Sequence, residues 1–211
     1  MKTIARLATV AAVLSLAANT LAADMLKYRA KPGGKMRIEG TSTIHDWTAE
    51  SSFVGGRLEL DPSFPTDPAS KELKPGKLPA TATVNILVRT FKCSSGSAMD
   101  AIMQETMNAK DHPKIEYVLK DFVFKEFKDS DLVFEATGDV KVHGQTKPVT
   151  MPVQITRVDA SNLKVTGTTS VKMTDFGIQP PAPKIALGAI KTGDDVKLVF
   201  EWNLGKSDAA Q

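Results

Sequence analysis

The chain of 211 residues has little of what several classes of protein require. Its single cysteine excludes an intramolecular disulfide, so the fold has to be held together by its core alone. Its three histidines come without an HxxxH motif or paired cysteines, so we predict no metal site. No GxGxxG fingerprint and no P-loop is present, and we therefore expect no nucleotide or other cofactor.

Net charge and aromatic residues are also sparse. The formal net charge of +3 includes Lys2 and Arg6, which lie in a segment predicted to be removed, so the remaining chain carries about +1. This dispersed, nearly neutral balance lacks the clustered basic face of a nucleic-acid-binding protein. Two Trp, two Tyr and nine Phe are too few for the aromatic girdles of a lipid-facing outer-membrane barrel.

Residues 1–22 have the three parts of a secretory signal peptide. Lys2 and Arg6 supply the positive region, residues 7–18 are apolar, and small residues precede the cleavage point. The apolar run is shorter than the ~20 residues that span a bilayer as a helix, which favours cleavage over an N-terminal anchor. We predict one periplasmic domain, residues 23–211, without stable membrane insertion. Its lone thiol is expected to be buried, or else to be accessible and to join two chains in a homodimer.

Apolar and polar residues then alternate with a period of two in eight segments, as in half-buried β-strands. Glycine and aspartate separate the segments and no helix alternates with them, which favours sequential antiparallel pairing over a doubly wound sheet. Several segments are long, which favours an all-β, eight-stranded, up-and-down barrel of the lipocalin type over a sandwich. The inward positions are Met36 and Ile38; Trp47, Ala49, Ser51 and Phe53 with Leu58 and Leu60; Ala82, Val84, Ile86 and Val88; Ile115, Tyr117 and Leu119; Leu132, Phe134, Ala136, Val140 and Val142; Val149, Met151, Val153 and Ile155; Leu163, Val165, Val171 and Met173; and Val196, Leu198, Phe200, Trp202 and Leu204.

Two connections differ from simple hairpins. Residues 62–80 contain five prolines, which predicts a long exposed loop. Residues 94–110 predict one short helix near the barrel mouth, with Ser97 and Asp100 as a capping box. Its apolar face consists of Met99, Ile102, Met103 and Met107.

The segment 42–46, Ser-Thr-Ile-His-Asp, contains the residue types of a hydrolase site. Adjacent residues of an extended segment point to opposite faces, however, and do not form a nucleophile, a base and an orienting group. A histidine and an aspartate beside a strand turn usually satisfy backbone groups, and we favour this role for His45 and Asp46 over contact with a ligand. We predict no catalytic residue and no enzymatic activity.

Four motifs follow one another along nearly the whole chain after residue 22. They are residues 40–47 (GTSTIHDW), Met99-Asp100 leading into residues 108–115 (NAKDHPKI), residues 142–149 (VHGQTKPV) and residues 174–178 (TDFGI). In order and spacing they resemble the YceI-like family. The resemblance implies an exported, lipocalin-like antiparallel barrel and, in some relatives, a long isoprenoid chain or other lipid in an apolar channel; the family is not known for enzymes. The chain differs from commoner members in having Met99-Asp100 where they have an Arg-Asp pair, and in adding Gln-Pro-Pro-Ala-Pro after the last motif.

The leading hypothesis is a non-enzymatic protein that carries or sequesters an apolar lipid, such as a polyisoprenoid, inside the barrel. Lys110, Lys172 or Lys184 would meet an anionic head group. One alternative is an interaction module with a side-chain-filled barrel that docks through residues 62–80 and residues 180–181. Another is metal or redox protection through the histidines and the lone cysteine. The residues predicted to line the channel are Trp47, Phe53, Val84, Ile86, Met99, Ile102, Met103, Leu119, Phe134, Met151, Phe176 and Phe200.

Overall fold

A computed structural model describes residues 24–182 and 190–207. The predicted signal peptide, residues 1–22, and Lys184 lie outside these residues. The described chain forms twelve β-strands, one α-helix and two 3-10 turns, at Val88–Thr90 and Thr174–Phe176. The elements are β1 (Leu26–Ala30), β2 (Lys35–Ser42), β3 (Trp47–Ser51), β4 (Gly55–Leu60), β5 (Gly76–Lys77), β6 (Ala80–Leu87), β7 (Lys92–Cys93), α1 (Ser97–Thr106), β8 (Lys114–Lys128), β9 (Asp131–Val142), β10 (Gln145–Arg157), β11 (Asn162–Lys172) and β12 (Thr192–Lys206).

Eight of the strands close into an antiparallel barrel in the order β1-β4-β6-β8-β9-β10-β11-β12, because β12 also pairs with β1. Strands β8 to β12 each pair with the next, so this part is up-and-down and the predicted fold class is confirmed. The end of β12 pairs with β1, while its residues up to Glu201 pair with β2. Strands β2, β3 and β7 therefore continue the wall towards α1.

Alternating side chains build the core. In β9, Leu132, Phe134, Ala136, Gly138 and Val142 are buried and face into the barrel, while the residues that alternate with them are more exposed. Strand β8 changes phase, because its register shifts after Leu119 and again after Phe124. With these shifts β8 extends to Lys128, well beyond the segment from Ile115 to Leu119 that simple alternation predicts.

The prediction of an exposed loop at residues 62–80 is wrong in part. Phe64 and Leu78 are only 2% and 4% exposed and join the barrel core. The short strand β5 pairs with β8, and the amide of Leu78 donates to the carbonyl oxygen of Phe122 at 2.9 Å. The prolines limit regular structure to the short strand β5 but leave the side chains between them free to pack, and the segment closes the barrel end opposite α1.

Arg157 fastens this closing segment. Its guanidinium is buried, with the whole residue 4% exposed, and donates only to backbone oxygens. Nη1 lies 2.7 Å and 2.9 Å from the carbonyl oxygens of Asp67 and Ser70. Further bonds reach the carbonyl oxygens of Pro65, Pro68 and Ser130. One side chain thus satisfies buried acceptors of a loop that has little regular hydrogen bonding of its own.

The predicted capping box of α1 is also wrong. Gly96 is the N-cap and Ser97 is already the first helical residue, so no side chain caps the helix. Asp100 instead accepts a hydrogen bond from the amide of Cys93 at 2.6 Å and from Lys92 Nζ at 3.0 Å. These bonds attach α1 to β7, which pairs with β3. The bonds from Cys93 and Lys92 hold the pKa of the Asp100 carboxyl below its usual value.

No helix among the described residues is long and apolar enough to cross a membrane.

Candidate functional site

An outer chamber of about 360 Å³ opens at the α1 end of the barrel. Helix α1 covers one side of it with Met99, Ile102 and Met103. The opposite wall comes from β11, β12 and the turn that carries Phe176, which is 3% exposed. Ile44 also lines the chamber but is 61% exposed, so it stands at the rim.

An inner chamber of about 120 Å³ lies deeper in the barrel and has an apolar surface. Its lining comes from all around the barrel, including Val84 on β6, Leu119 on β8, Met151 on β10 and Phe200 on β12. The Tyr117 side chain also faces this chamber. Burial, together with the smaller effect of the nearby Asp139 carboxylate, raises the pKa of its hydroxyl to about 12. No charged side chain of the described residues lines this chamber, so it is suited to a neutral, apolar occupant.

The two chambers adjoin, because four apolar side chains line both of them. We call this shared ring the waist; it consists of Met36 on β2, Ile115 on β8, Val140 on β9 and Leu198 on β12. We call these two adjoining chambers the channel, and the loop that Arg157 holds closes its far end.

Aromatic rings lie flat on inward-facing glycines of this channel. A Cβ atom at each of these glycines would overlap the ring, so only glycine leaves the ring room to lie along the wall instead of across the channel. The pairs are Gly40 with Trp47, Gly138 with Tyr117 and Gly167 with Phe200, and in each of them a Cβ would lie less than 3.0 Å from the nearest ring atom.

Ten of the twelve residues predicted to line the channel do so. Phe134 does not: it is 1% exposed and packs behind Phe122, so it belongs to the core. Phe53 is wrong as an inward residue, because β3 ends at Ser51 and leaves Phe53 69% exposed. Trp47, Met99, Ile102, Met103 and Phe176 line the outer chamber, and Val84, Ile86, Leu119, Met151 and Phe200 line the inner one.

Several lining residues were not predicted as site residues. They include the waist, together with Met107 and Met173 of the outer chamber and Phe122 and Trp202 of the inner one. The inward phase of the strands was the available signal for most of them. For Phe122 that signal was absent, because the register shift after Leu119 changes the phase of β8.

The lone cysteine lines the outer chamber and is half-buried. The Cys93 Sγ–H donates to Met103 Sδ at 3.8 Å. Burial, with the nearby Asp100 carboxylate, raises the pKa of the thiol to about 11. At neutral pH the group is therefore a protonated, weakly polar part of the chamber wall.

Hydrogen bonds between side chains and the backbone of the same segment hold the turn at residues 42–46. Ser42 Oγ donates to the carbonyl oxygen of His45 at 2.7 Å and accepts from the amides of Ile44 and His45. His45 Nδ1 lies 2.8 Å from the carbonyl oxygen of Asp46. His45 thus makes the backbone contact expected of it, and it also lines the outer chamber.

The other ionisable candidates line neither chamber. His112 and His143 have ring centroids 6.0 Å apart, and no group of three His, Cys, Asp or Glu side chains in the described part of the chain could hold a metal ion. Lys110 and Lys172 are exposed and line neither chamber.

The family model of the YceI-like domain matches residues 27–204, which include all of the barrel except the ends of β1 and β12. The chain belongs to the YceI-like family. A search of curated proteins gives no match. Solved structures share the YceI-like fold at low sequence identity, as three of them show.

The polyisoprenoid binding domain from Saccharophagus degradans, described as implicated in plant cell wall breakdown, has a TM-score of 0.65 and 10% identity over 86% of this chain and 99% of that one. BcnA from Burkholderia cenocepacia has a TM-score of 0.60 and 16% identity, over 81% of this chain and 95% of that one. The YceI protein of Campylobacter jejuni has a TM-score of 0.53 and 18% identity, over 76% and 85%. At these identities the likeness establishes the fold.

Proposed function

We propose that this YceI-like protein is an exported, non-enzymatic carrier or sequestering protein that holds an apolar chain in its two-chamber channel. The observation that carries the proposal is the waist, through which an apolar outer chamber adjoins a smaller apolar inner one. A chain in both chambers would be bound mainly by burial of apolar surface, at about 25 cal/mol per Å². Few polar contacts constrain it, so selectivity among apolar chains is broad.

A polyisoprenoid or similar lipid is the ligand class that fits this shape. The solved relative from Saccharophagus degradans is described as a polyisoprenoid binding domain, which supports the same class here. The ten lining residues predicted from the sequence would contact the chain. A head group would stay at the outer chamber, where Ser42, Ser95 and Thr192 supply the polar atoms, within reach of solvent and of exposed lysines such as Lys172.

Export to the periplasm is part of the proposal and rests on the signal peptide pattern of residues 1–22. The alternative of an interaction module requires a barrel filled by its own side chains and a free loop at residues 62–80. The two chambers and the buried Phe64 both count against that alternative.

The proposal is tested by titrating delipidated protein with a fluorescent polyene chain and displacing the chain with prenols. Met103→Asp places a carboxylate in the outer chamber, where none of the described lining residues is a lysine or an arginine, and should weaken binding at least about tenfold. Met103→Leu keeps the apolar wall and should bind as the wild type does. Val158→Asp, at an exposed turn, is the matched control. Unchanged binding by a folded Met103→Asp variant would place the ligand elsewhere.

A further inference from the structure

On β8, Phe122 is the deepest residue that lines the inner chamber. This side chain lines the chamber and is 4% exposed, and its ring stacks on Phe134 with centroids 4.0 Å apart and planes 4° from parallel. Phe134 lines neither chamber. Along β9, Ala136 is the residue paired with Phe122, and Phe134 lies two residues further from the mouth. Phe122 therefore forms the β8 side of the channel floor, with Phe134 beneath it; Ile155 of β10 and Val165 of β11 also line the inner chamber towards this end.

The floor is supported from behind. Phe134 also packs against Phe124 at 5.3 Å and Phe64 at 6.5 Å between centroids, and both rings are almost fully buried. The backbone of Phe122 is bonded to Leu78 of the closing loop. A close-packed group of this kind has no free volume into which the Phe122 ring could move when a longer chain arrives.

The depth of the channel follows from the strand geometry. Val142 of β9 lines the outer chamber, and Ala136, six residues earlier, lines the inner chamber at the level of Phe122. At about 3.3 Å per residue and a strand tilt of about 40°, this stretch spans roughly 15 Å of the barrel axis. A chain with its head at the mouth therefore has a fixed length available before its end meets a ring.

We propose that Phe122 is the specificity-determining residue that sets the longest apolar chain the channel holds in full. This inference rests on the proposed function and adds the selected property, chain length. A chain that does not reach the floor gains affinity with each further isoprene unit that is buried. A longer chain must leave its excess length outside the channel or bind in a strained conformation. Phe134 becomes the new floor when Phe122 is truncated.

The test measures affinity for a series of linear prenols that differ by one isoprene unit. In the wild type, affinity should rise with length and then reach a maximum. Phe122→Ala should move the maximum to longer prenols, with affinity for the first prenol past the wild-type maximum raised about tenfold. Phe122→Leu, a milder change, should move it in the same direction, and Ala136→Leu, which fills the inner chamber, should move it to shorter prenols.

Phe53→Leu is the matched control, because Phe53 is 69% exposed and lines neither chamber. Its maximum should coincide with that of the wild type. If prenols bind but the maximum stays at one length in every folded variant, or moves equally in Phe53→Leu, Phe122 does not set the length. If no prenol binds the wild type at all, the proposed function itself fails.

Discussion

Replacing Arg157 with alanine tests whether one side chain holds the closed end of the barrel. The guanidinium donates to five backbone carbonyl oxygens, four of them in the loop that closes the barrel and one at Ser130 in the β8–β9 turn. The guanidinium carbon also lies over the Phe127 ring, 5.8 Å from the ring centroid. Alanine removes all these contacts at once and leaves the carbonyl oxygens without their donor.

The expected loss of stability is smaller than the sum of the bonds. Hydrogen bonds from a charged group are worth about 1.5–3 kcal/mol each, but water entering the vacated space restores part of this. Breaking a buried charged network costs about 3–5 kcal/mol, so we expect a fall of about 4 kcal/mol in the free energy of unfolding. For a domain of this size, that corresponds to a Tm lower by roughly 8–16 °C.

Urea denaturation and thermal melts of Arg157→Ala, Arg157→Lys and Arg57→Ala measure this loss. An ammonium offers three donors and cannot reach all five acceptors, so Arg157→Lys should lose about half as much as alanine. Arg57 is exposed on β4, and its replacement should change stability by less than about 0.5 kcal/mol. A loss below about 1 kcal/mol for Arg157→Ala, with an unchanged urea dependence, would refute the idea that Arg157 fastens the loop.

Three further predictions concern the channel wall. Because its pKa is raised to about 11, the Cys93 thiol should alkylate slowly at pH 7 and faster as the pH rises towards 11; pH-independent alkylation would contradict this. Because the pKa of Asp100 is lowered in the folded protein, its ionised carboxyl stabilises the fold above the unfolded pKa of about 4. This contribution is lost as the pH falls through the folded pKa, so Asp100→Asn should lose less stability than the wild type on acidification in urea melts. Gly138→Ala should cost about 1–3 kcal/mol and weaken chain binding, because its Cβ meets the Tyr117 ring; equal stability and affinity would show that the wall yields.

Most of the barrel could be predicted because period-two alternation reports directly which face of a strand is buried. β9 shows this, since its inward residues are apolar or glycine from Leu132 to Val142. The prediction failed where the pairing with neighbouring strands, and not alternation along the sequence, determines which residues point inward. β8 continues past Leu119 only because register shifts turn Phe122 and Phe124 inward, and such shifts depend on the neighbouring strands.

The closing loop and the helix cap failed for a different reason. Prolines in residues 62–80 correctly predict little regular structure, limited to the short strand β5, but only the fold shows that Arg157, far along the sequence, binds that loop. The spacing of Ser97 and Asp100 matches a capping box equally well whether Asp100 caps the helix or bonds to the strand before it. Local sequence patterns do not distinguish partners that the tertiary structure supplies.

The channel itself could be predicted as an apolar face but not as an open space. Whether inward Phe and Met side chains fill a barrel or line it depends on where their rings lie. The glycine opposite each flat ring is the sequence feature that decides this, but the cross-strand pairing must be known first, as with Gly167 and Phe200. In the same way, the pairing of β8 with β9 places Phe134 behind Phe122 and out of the channel.

The central claim, that the channel holds an apolar chain, is tested most directly by native mass spectrometry of the protein isolated from its own cells. The bound fraction would then be identified by denaturing extraction. The account predicts a reproducible, near-stoichiometric apolar adduct that Met103→Asp loses and Val158→Asp keeps. Protein that carries no adduct, and that also takes up no added prenol or fatty acid, would contradict it.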